Sequence, residues 1–232
     1  MTHILLTGSS RGIGAAIAAT LDRPDVAIVG HGTQSGIPAD FSDPAAPRAL
    51  WDAALERLGG TIDVLINNAG VFDANPIDRD DDAWVAEWDR TMRINLTASA
   101  ELCRLAVLHW QSRGVGGRIV NIASRAAYRG DSPAHWHYAA SKAGMVAMTK
   151  SIARGYAGQG ILAFAVCPGF TMTGMADDYL SSRGGDKLLA DIPLGRVAMP
   201  DEIADVARFL ALEAPASMTG AVIDVNGASY VR

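Results

Sequence analysis

The chain has 232 residues, 49% hydrophobic and 19% charged, with 24 glycines and a formal net charge of −5. That apolar fraction fills a large buried core and excludes a disordered chain. The acidic balance, without any Lys/Arg cluster, excludes a nucleic-acid partner, and the absence of a run of about 18 apolar residues excludes a membrane span. In chain order, strands are expected at Ile4–Thr7, Val26–Gly30, Ile37–Asp40, Val64–Asn67, Arg118–Ile122, Leu162–Cys167 and Val222–Val225. Most are continuously apolar, as strands covered on both faces are. Helical patterns fall between them, at Ile13–Leu21, Ala45–Leu58, Trp84–His109, Tyr138–Ala157 and Pro200–Leu212. This alternation predicts the α/β class: a doubly wound, mostly parallel seven-stranded sheet with helices on both faces.

Only six residues, His31–Gly36, separate the second strand from the third. A parallel crossover normally takes about a dozen, so the helix between strands 2 and 3 is expected to be missing. Either the third strand is a short edge strand reached by a loop, or the assignment fails at that edge. Met172–Pro193 is the one long segment of weak pattern and the candidate substrate loop. With no repeat or linker, one domain over residues 1–232 is expected. Cys103 and Cys167 sit in apolar runs and read as buried reduced thiols. Met1 leads into His3–Thr7 with no basic stretch and long apolar region, so a cytoplasmic location is expected.

The first strand runs into Thr7-Gly8-Ser9-Ser10-Arg11-Gly12-Ile13-Gly14, which opens the first helix. Glycines there permit a tight turn and close backbone approach to a pyrophosphate. The helix start adds unpaired N–H groups and the positive end of its dipole. Gly8, Ser10, Arg11, Gly12, Ile13 and Gly14 are therefore candidate cofactor contacts. After the second strand, dinucleotide sites that take NAD often carry a carboxylate for the ribose 2′-OH. His31 stands here instead, followed by Gly32 and Thr33. With no carboxylate to repel a 2′-phosphate, and with Arg11, Thr33 and Ser35 nearby, NADP(H) is favoured over NAD(H).

Tyr138 and Lys142 lie four apart at the start of a long helical pattern and share one face. A free phenol titrates near pH ~10, and a neighbouring cation favours the phenolate. Bringing it near pH ~7 takes roughly 4 kcal/mol, which Lys142 and a positive nicotinamide are expected to supply in large part. Ser124 follows the fifth expected strand at the carboxyl edge, where a hydroxyl can bond a substrate carbonyl. Asn67-Asn68-Ala69-Gly70 ends the fourth strand at the same edge, and reads otherwise as a turn closed by asparagines. Asn95 sits mid-helix, a disfavoured place, and is expected to hold backbone or water.

Taken together, these motifs resemble the short-chain dehydrogenase/reductase family over essentially the whole chain. The Thr7–Gly14 turn, Asn67–Gly70, Asn95, Ser124 with Tyr138 and Lys142, and Pro168-Gly169 leading to Thr173 occur in the family's order. Ile192–Arg196, Pro200–Ala204 and Thr219 through Gly227 are similar to the 3-oxoacyl-carrier-protein reductase subgroup. The resemblance implies a single-domain Rossmann fold with strand order 3-2-1-4-5-6-7, usually a homotetramer. It implies hydride transfer between a nicotinamide cofactor and a small-molecule carbonyl or secondary alcohol. Tyr138 would then be the acid/base, Lys142 would hold the nicotinamide ribose, Ser124 would polarise the carbonyl and Asn95 would anchor a relay water. Asp40 and Phe41 would touch adenine, Asn68, Ala69 and Gly70 would line the adenosine side, and Pro168, Gly169, Thr171 and Thr173 would meet the nicotinamide end. The competing reading is a non-catalytic dinucleotide-binding redox sensor.

Ser124 and Tyr138 are fourteen apart, one or two more than is usual in the family. The extra length falls in Ala126–His137, which is expected to border the substrate. Arg125, His135 and His137 are its candidate substrate contacts; otherwise they are solvated loop residues. His135 and His137 lack a third ligand at metal spacing, so no metal is expected.

Overall fold

The computed structural model describes residues 1–173 and 189–232. The candidate substrate loop 172–193 thus lies largely outside the described residues. Seven strands form the sheet: β1 Thr2–Leu6, β2 Val26–Gly32, β3 Ile37–Pro38, β4 Val64–Asn67, β5 Gly117–Ile122, β6 Ile161–Pro168 and β7 Val222–Val225. They are all parallel, in the order β3-β2-β1-β4-β5-β6-β7. The described helices are α1 Gly12–Thr20, α2 Ala46–Arg57, α3 Asp81–Met92, α4 Ala98–Arg113, α5 Ala126–Arg129, α6 Trp136–Tyr156 and α7 Pro200–Leu212.

The apolar strands are explained by their two faces. Side chains alternate along a strand, and both faces are covered. Leu5, Leu65, Ile119 and Ala163 join one core with Leu50 and Trp51 of α2 and Leu102 and Trp110 of α4. Ile4, Leu6, Ile66, Val120 and Phe164 join the other, with Ile17 of α1 and Ile203 and Leu210 of α7. β1 and β4 pair Leu5 with Leu65 and Leu6 with Ile66, so the two cores stay separated across the sheet. The strand order reverses at β1, which opens a crevice above the carboxyl ends of β1 and β4.

Most bounds shift by a residue or two from the sequence expectation, and some segments differ more. β2 runs on to Gly32, and β3 ends at Pro38 rather than Asp40. Between them no helix forms; the return is made by residues 33–36. At its end Gly36 adopts φ +67°, and a Cβ there would lie 2.1 Å from the Gly30 carbonyl oxygen. The expected Trp84–His109 helix starts earlier, at Asp81, ends at Arg113 and contains a π turn at Arg93–Thr97. Part of the expected 126–137 loop is helix α5.

Candidate active site

The turn after β1 is held from both sides of the crevice. The Thr7 hydroxyl accepts the N–H groups of Asn68 and Ala69, each at 3.0 Å. The Asn68 side chain donates to the carbonyls of Gly8 at 2.9 Å and Thr7 at 3.2 Å. Asn68 therefore staples β4 to the glycine turn, and its own donors are spent on protein. A Cβ on Gly14 would lie 1.9 Å from the Gly8 oxygen, so only glycine lets α1 start this close to the turn. No side chain caps α1, and no acidic residue occupies its first turn. Its N–H groups and dipole are free to meet an anion. Thr173 packs beside Gly12, its Cγ2 3.1 Å from where a Cβ would stand. An unfilled helix start, glycine backbone and a facing threonine suit the pyrophosphate of a dinucleotide.

At the β2 edge the residues behave unequally. His31 is buried and turned inward: Gly8 N–H donates to Nδ1 at 3.2 Å, and Nε2 bonds the Ala39 carbonyl at 3.0 Å. Its ring stacks on buried Phe41, with centroids 4.4 Å apart. Asp40 is exposed, and its carboxylate accepts the Ser42 N–H at 2.9 Å, which holds its pKa below the usual value. Arg11 is exposed at the turn. Ser10 and Ser35 both face Gly32, their oxygens 3.2 and 2.8 Å from where its Cβ would stand. Two hydroxyls thus flank the end of β2, and Arg11 is exposed in the turn before α1.

Above β5 and β6 stand Ser124, Tyr138 and Lys142. Lys142 is buried; its Nζ donates to the Ile122 carbonyl at 2.9 Å and lies 5.8 Å from the centre of the Tyr138 ring. Burial lowers its pKa to about 8. Burial pushes the Tyr138 phenol the other way, up to about 12, with only a Ser124 hydrogen bond pulling it down. The expected depression rests on Lys142 together with a positive nicotinamide, and the protein's own groups do not supply it alone. The protein's own groups desolvate the hydroxyl, and Lys142 spends a proton on Ile122 instead. Asn95 lies in the π turn, and its amide takes backbone, the first of its two expected alternatives. Oδ1 accepts the Val71 N–H at 2.8 Å, and Nδ2 donates to the Val71 carbonyl at 3.0 Å and the Ser141 hydroxyl at 3.3 Å. The amide thereby fixes the segment that follows Gly70, and a Cβ on Gly70 itself would lie 3.5 Å from Lys142 Nζ.

Pro168 ends β6, and Gly169 packs so closely that its Cβ would lie 2.8 Å from Asn226 Cα. Thr171 is buried and bridges to Ala198, its hydroxyl donating to the Gly169 carbonyl at 3.2 Å. Of the candidate substrate contacts, Arg125 is buried over the Phe170 ring, 3.6 Å from Asp191. His137 is also buried, inside α6 and beside Trp88, which corrects its solvated-loop alternative. His135 stacks on Phe72, centroids 3.9 Å apart, while the Phe72 edge meets Tyr138 at 4.7 Å. Burial lowers the pKa of both histidines. Among the described residues, no three His, Cys, Asp or Glu side chains group to hold a metal ion.

Sequence reasoning missed Phe72 and Asn75. Buried Asn75 knits the two loops beside Tyr138, its N–H donating to the Ala134 carbonyl at 2.8 Å and its side chain to the Trp84 carbonyl at 2.9 Å. It also missed a buried polar chain beneath the site. Asn67 donates to Asn121 at 2.8 Å and to the Cys103 sulfur at 3.3 Å, and Asn121 donates to Thr149 at 2.8 Å. Two asparagines at one register level of β4 and β5 were the available signal.

Residues 25–228 match the family model described as Enoyl-(Acyl carrier protein) reductase. The 3-oxoacyl-acyl-carrier-protein reductase FabG of Vibrio cholerae is 34% identical, over 98% of this chain and 96% of its own length. The 3beta-hydroxysteroid dehydrogenase 1 of Eggerthella lenta is 32% identical, over 97% of this chain and 92% of its own. The crystal structure of an Agrobacterium tumefaciens protein, provisionally assigned as a 2-deoxy-D-gluconate 3-dehydrogenase with bound NADP, superposes with a TM-score of 0.88. It is 27% identical and covers all of this chain, over 97% of its own. A full-length match to named reductases and dehydrogenases, on a sheet of the expected order, makes this chain an oxidoreductase of the short-chain dehydrogenase/reductase family.

Proposed function

We propose that this chain interconverts a small-molecule carbonyl and its secondary alcohol with NADP(H), using Tyr138 as proton donor and acceptor. The observation that carries the reading is Lys142, bonded to the Ile122 carbonyl two residues before Ser124 and lying 5.8 Å from the Tyr138 ring centre. The nicotinamide supplies the hydride, or accepts it in the oxidative direction. A phenol held up at about 12 keeps its proton at neutral pH and can release it to an oxygen on which charge grows. Ser124 orients that oxygen, and the cation of Lys142 favours the phenolate left behind.

The α1 start with Gly8, Gly12, Ile13 and Gly14 would hold the pyrophosphate, and Thr173 would close over it. Asn68, Ala69 and Gly70 would border the adenosine side, with Asp40 and Phe41 at the adenine. Ser10, Arg11 and Ser35 support NADP(H) over NAD(H), because hydroxyls and a guanidinium suit a 2′-phosphate. The relatives' names support a carbonyl or alcohol substrate. A cytoplasmic homotetramer belongs to the same proposal, on family grounds. Tyr138→Phe tests it: NADPH binding should persist while turnover, followed by nicotinamide absorbance over a panel of ketones, falls about 10²–10⁴-fold. Undiminished turnover would rule out Tyr138 as the acid.

A further inference from the structure

We propose that His31 is a positioning residue for the cofactor: its neutral imidazole fixes the phosphate-binding turn, and protonation in the acid range weakens dinucleotide binding. The inference rests on the dinucleotide reading above and adds a pH dependence to it. Its starting point is the connection from β2 to β3, where residues 33–36 replace a crossover helix. The imidazole braces this edge, spanning from the turn after β1 to the chain after β3. Gly8 N–H can only donate and the Ala39 carbonyl can only accept, at 3.2 and 3.0 Å from the two ring nitrogens. One state satisfies both: the neutral ring with its proton on Nε2.

His31 carries the next residue of the turn as well. Its carbonyl accepts the Ser9 N–H at 2.8 Å and the Ser9 hydroxyl at 3.2 Å. The Gly8 carbonyl is held in turn by Asn68 at 2.9 Å. Thus the first glycine of the turn has its N–H set by His31 and its oxygen set by β4. An imidazolium would oppose its own N–H to that of Gly8, in a buried place where an unmet donor is costly. The contacting groups from the turn after β1, Gly8 and Ser9, and from the chain after β3, Ala39 and Phe41, carry no charge. Of the nearby ionisable groups, Asp40 is bonded to Ser42 and Arg11 is exposed. Burial lowers the ring's pKa below 6.5, opposed by the Ala39 carbonyl. Affinity is therefore level above that range and falls as pH drops through the lowered value.

Calorimetric titration of the full chain with NADP⁺ and NAD⁺, from about pH 8 to about pH 5, tests this. NAD⁺ is needed because a 2′-phosphate itself titrates near pH ~6. The wild-type dissociation constant for NAD⁺ should rise about tenfold on acidification, a change of about 1.4 kcal/mol. His31→Asn keeps an acceptor for Gly8 but cannot ionise, so its affinity should be level with pH. A level wild-type profile, or the same acid loss in His31→Asn, overturns the inference. Nitrogen NMR of the wild-type ring gives a readout that needs no variant: Nε2–H is expected, and Nδ1–H overturns it. Failure of wild type to bind either dinucleotide at about pH 8 would instead defeat the functional reading on which this one stands.

Discussion

Lys142→Met should make the protein more stable while removing its activity. The ammonium is buried, and burial lowers its pKa from 10.5 to about 8. At about 1.4 kcal/mol per pKa unit, holding it charged at neutral pH costs about 3 kcal/mol relative to the unfolded chain. Methionine has similar length and carries no charge to desolvate. Its use forfeits the bond to Ile122 at 2.9 Å, worth about 1–2 kcal/mol with the carbonyl left unpaired. The balance is a gain of about 1–2 kcal/mol at pH ~7. The sign with pH follows from the depressed value. Between about 8 and 10.5 the unfolded chain binds the proton and the folded chain does not, so wild-type stability rises with pH there and the variant's advantage shrinks. Urea denaturation of both proteins at pH ~7 and pH ~10 reads this directly. A variant less stable than wild type at neutral pH, or an advantage unchanged at the higher pH, would refute the burial argument.

Gly14→Ala places a methyl group 1.9 Å from the Gly8 oxygen and 2.5 Å from Asn68 Nδ2, so α1 must move off the turn. Cofactor titration should show affinity lost by at least about tenfold, and retained affinity would show that the close approach is dispensable. Asn121→Leu keeps the volume but removes the partner of both Asn67 and Thr149. Asn67 then keeps only its bond to the Cys103 sulfur and Thr149 only its bond to the Met145 carbonyl, for a loss of about 1–3 kcal/mol in urea denaturation; a neutral result would mean the chain repacks without the lost bonds.

Most of the strands were legible because a strand covered on both faces reads as an unbroken apolar run; β4 and β6 are buried at every residue. The missing helix was legible from a count, since six residues cannot carry a normal parallel crossover. The glycine turn and the Tyr138–Lys142 pair were legible because their spacing is local. The π turn was not, because it comes with Asn95 bonding Val71, 24 residues earlier. The inward turn of His31 needs Gly8 and Ala39, which meet only once β1, β2 and β3 stand side by side. Phe72 and Asn75 became visible only when their loop met the chain at residues 134–138.

The phenol's environment was illegible for a different reason. Sequence supplied its charged neighbour but not how far the fold desolvates the hydroxyl. Free tyrosine and lysine titrate close together, near ~10 and ~10.4. Burial raises an acid that becomes an anion and lowers a base that is a cation, so it separates the pair, to about 12 and about 8. At neutral pH the folded chain therefore presents a neutral phenol beside an ammonium. The first proton lost on raising the pH leaves Lys142, not Tyr138. The protein's own groups thus keep the phenol protonated at neutral pH, and donating that proton in the reductive direction leaves a phenolate that positive charge must stabilise. To take a proton up, the phenolate must first be stabilised by positive charge beyond that of Lys142. The two directions of the reaction therefore call on the same stabilised phenolate, formed by donation in reduction and consumed by proton uptake in oxidation.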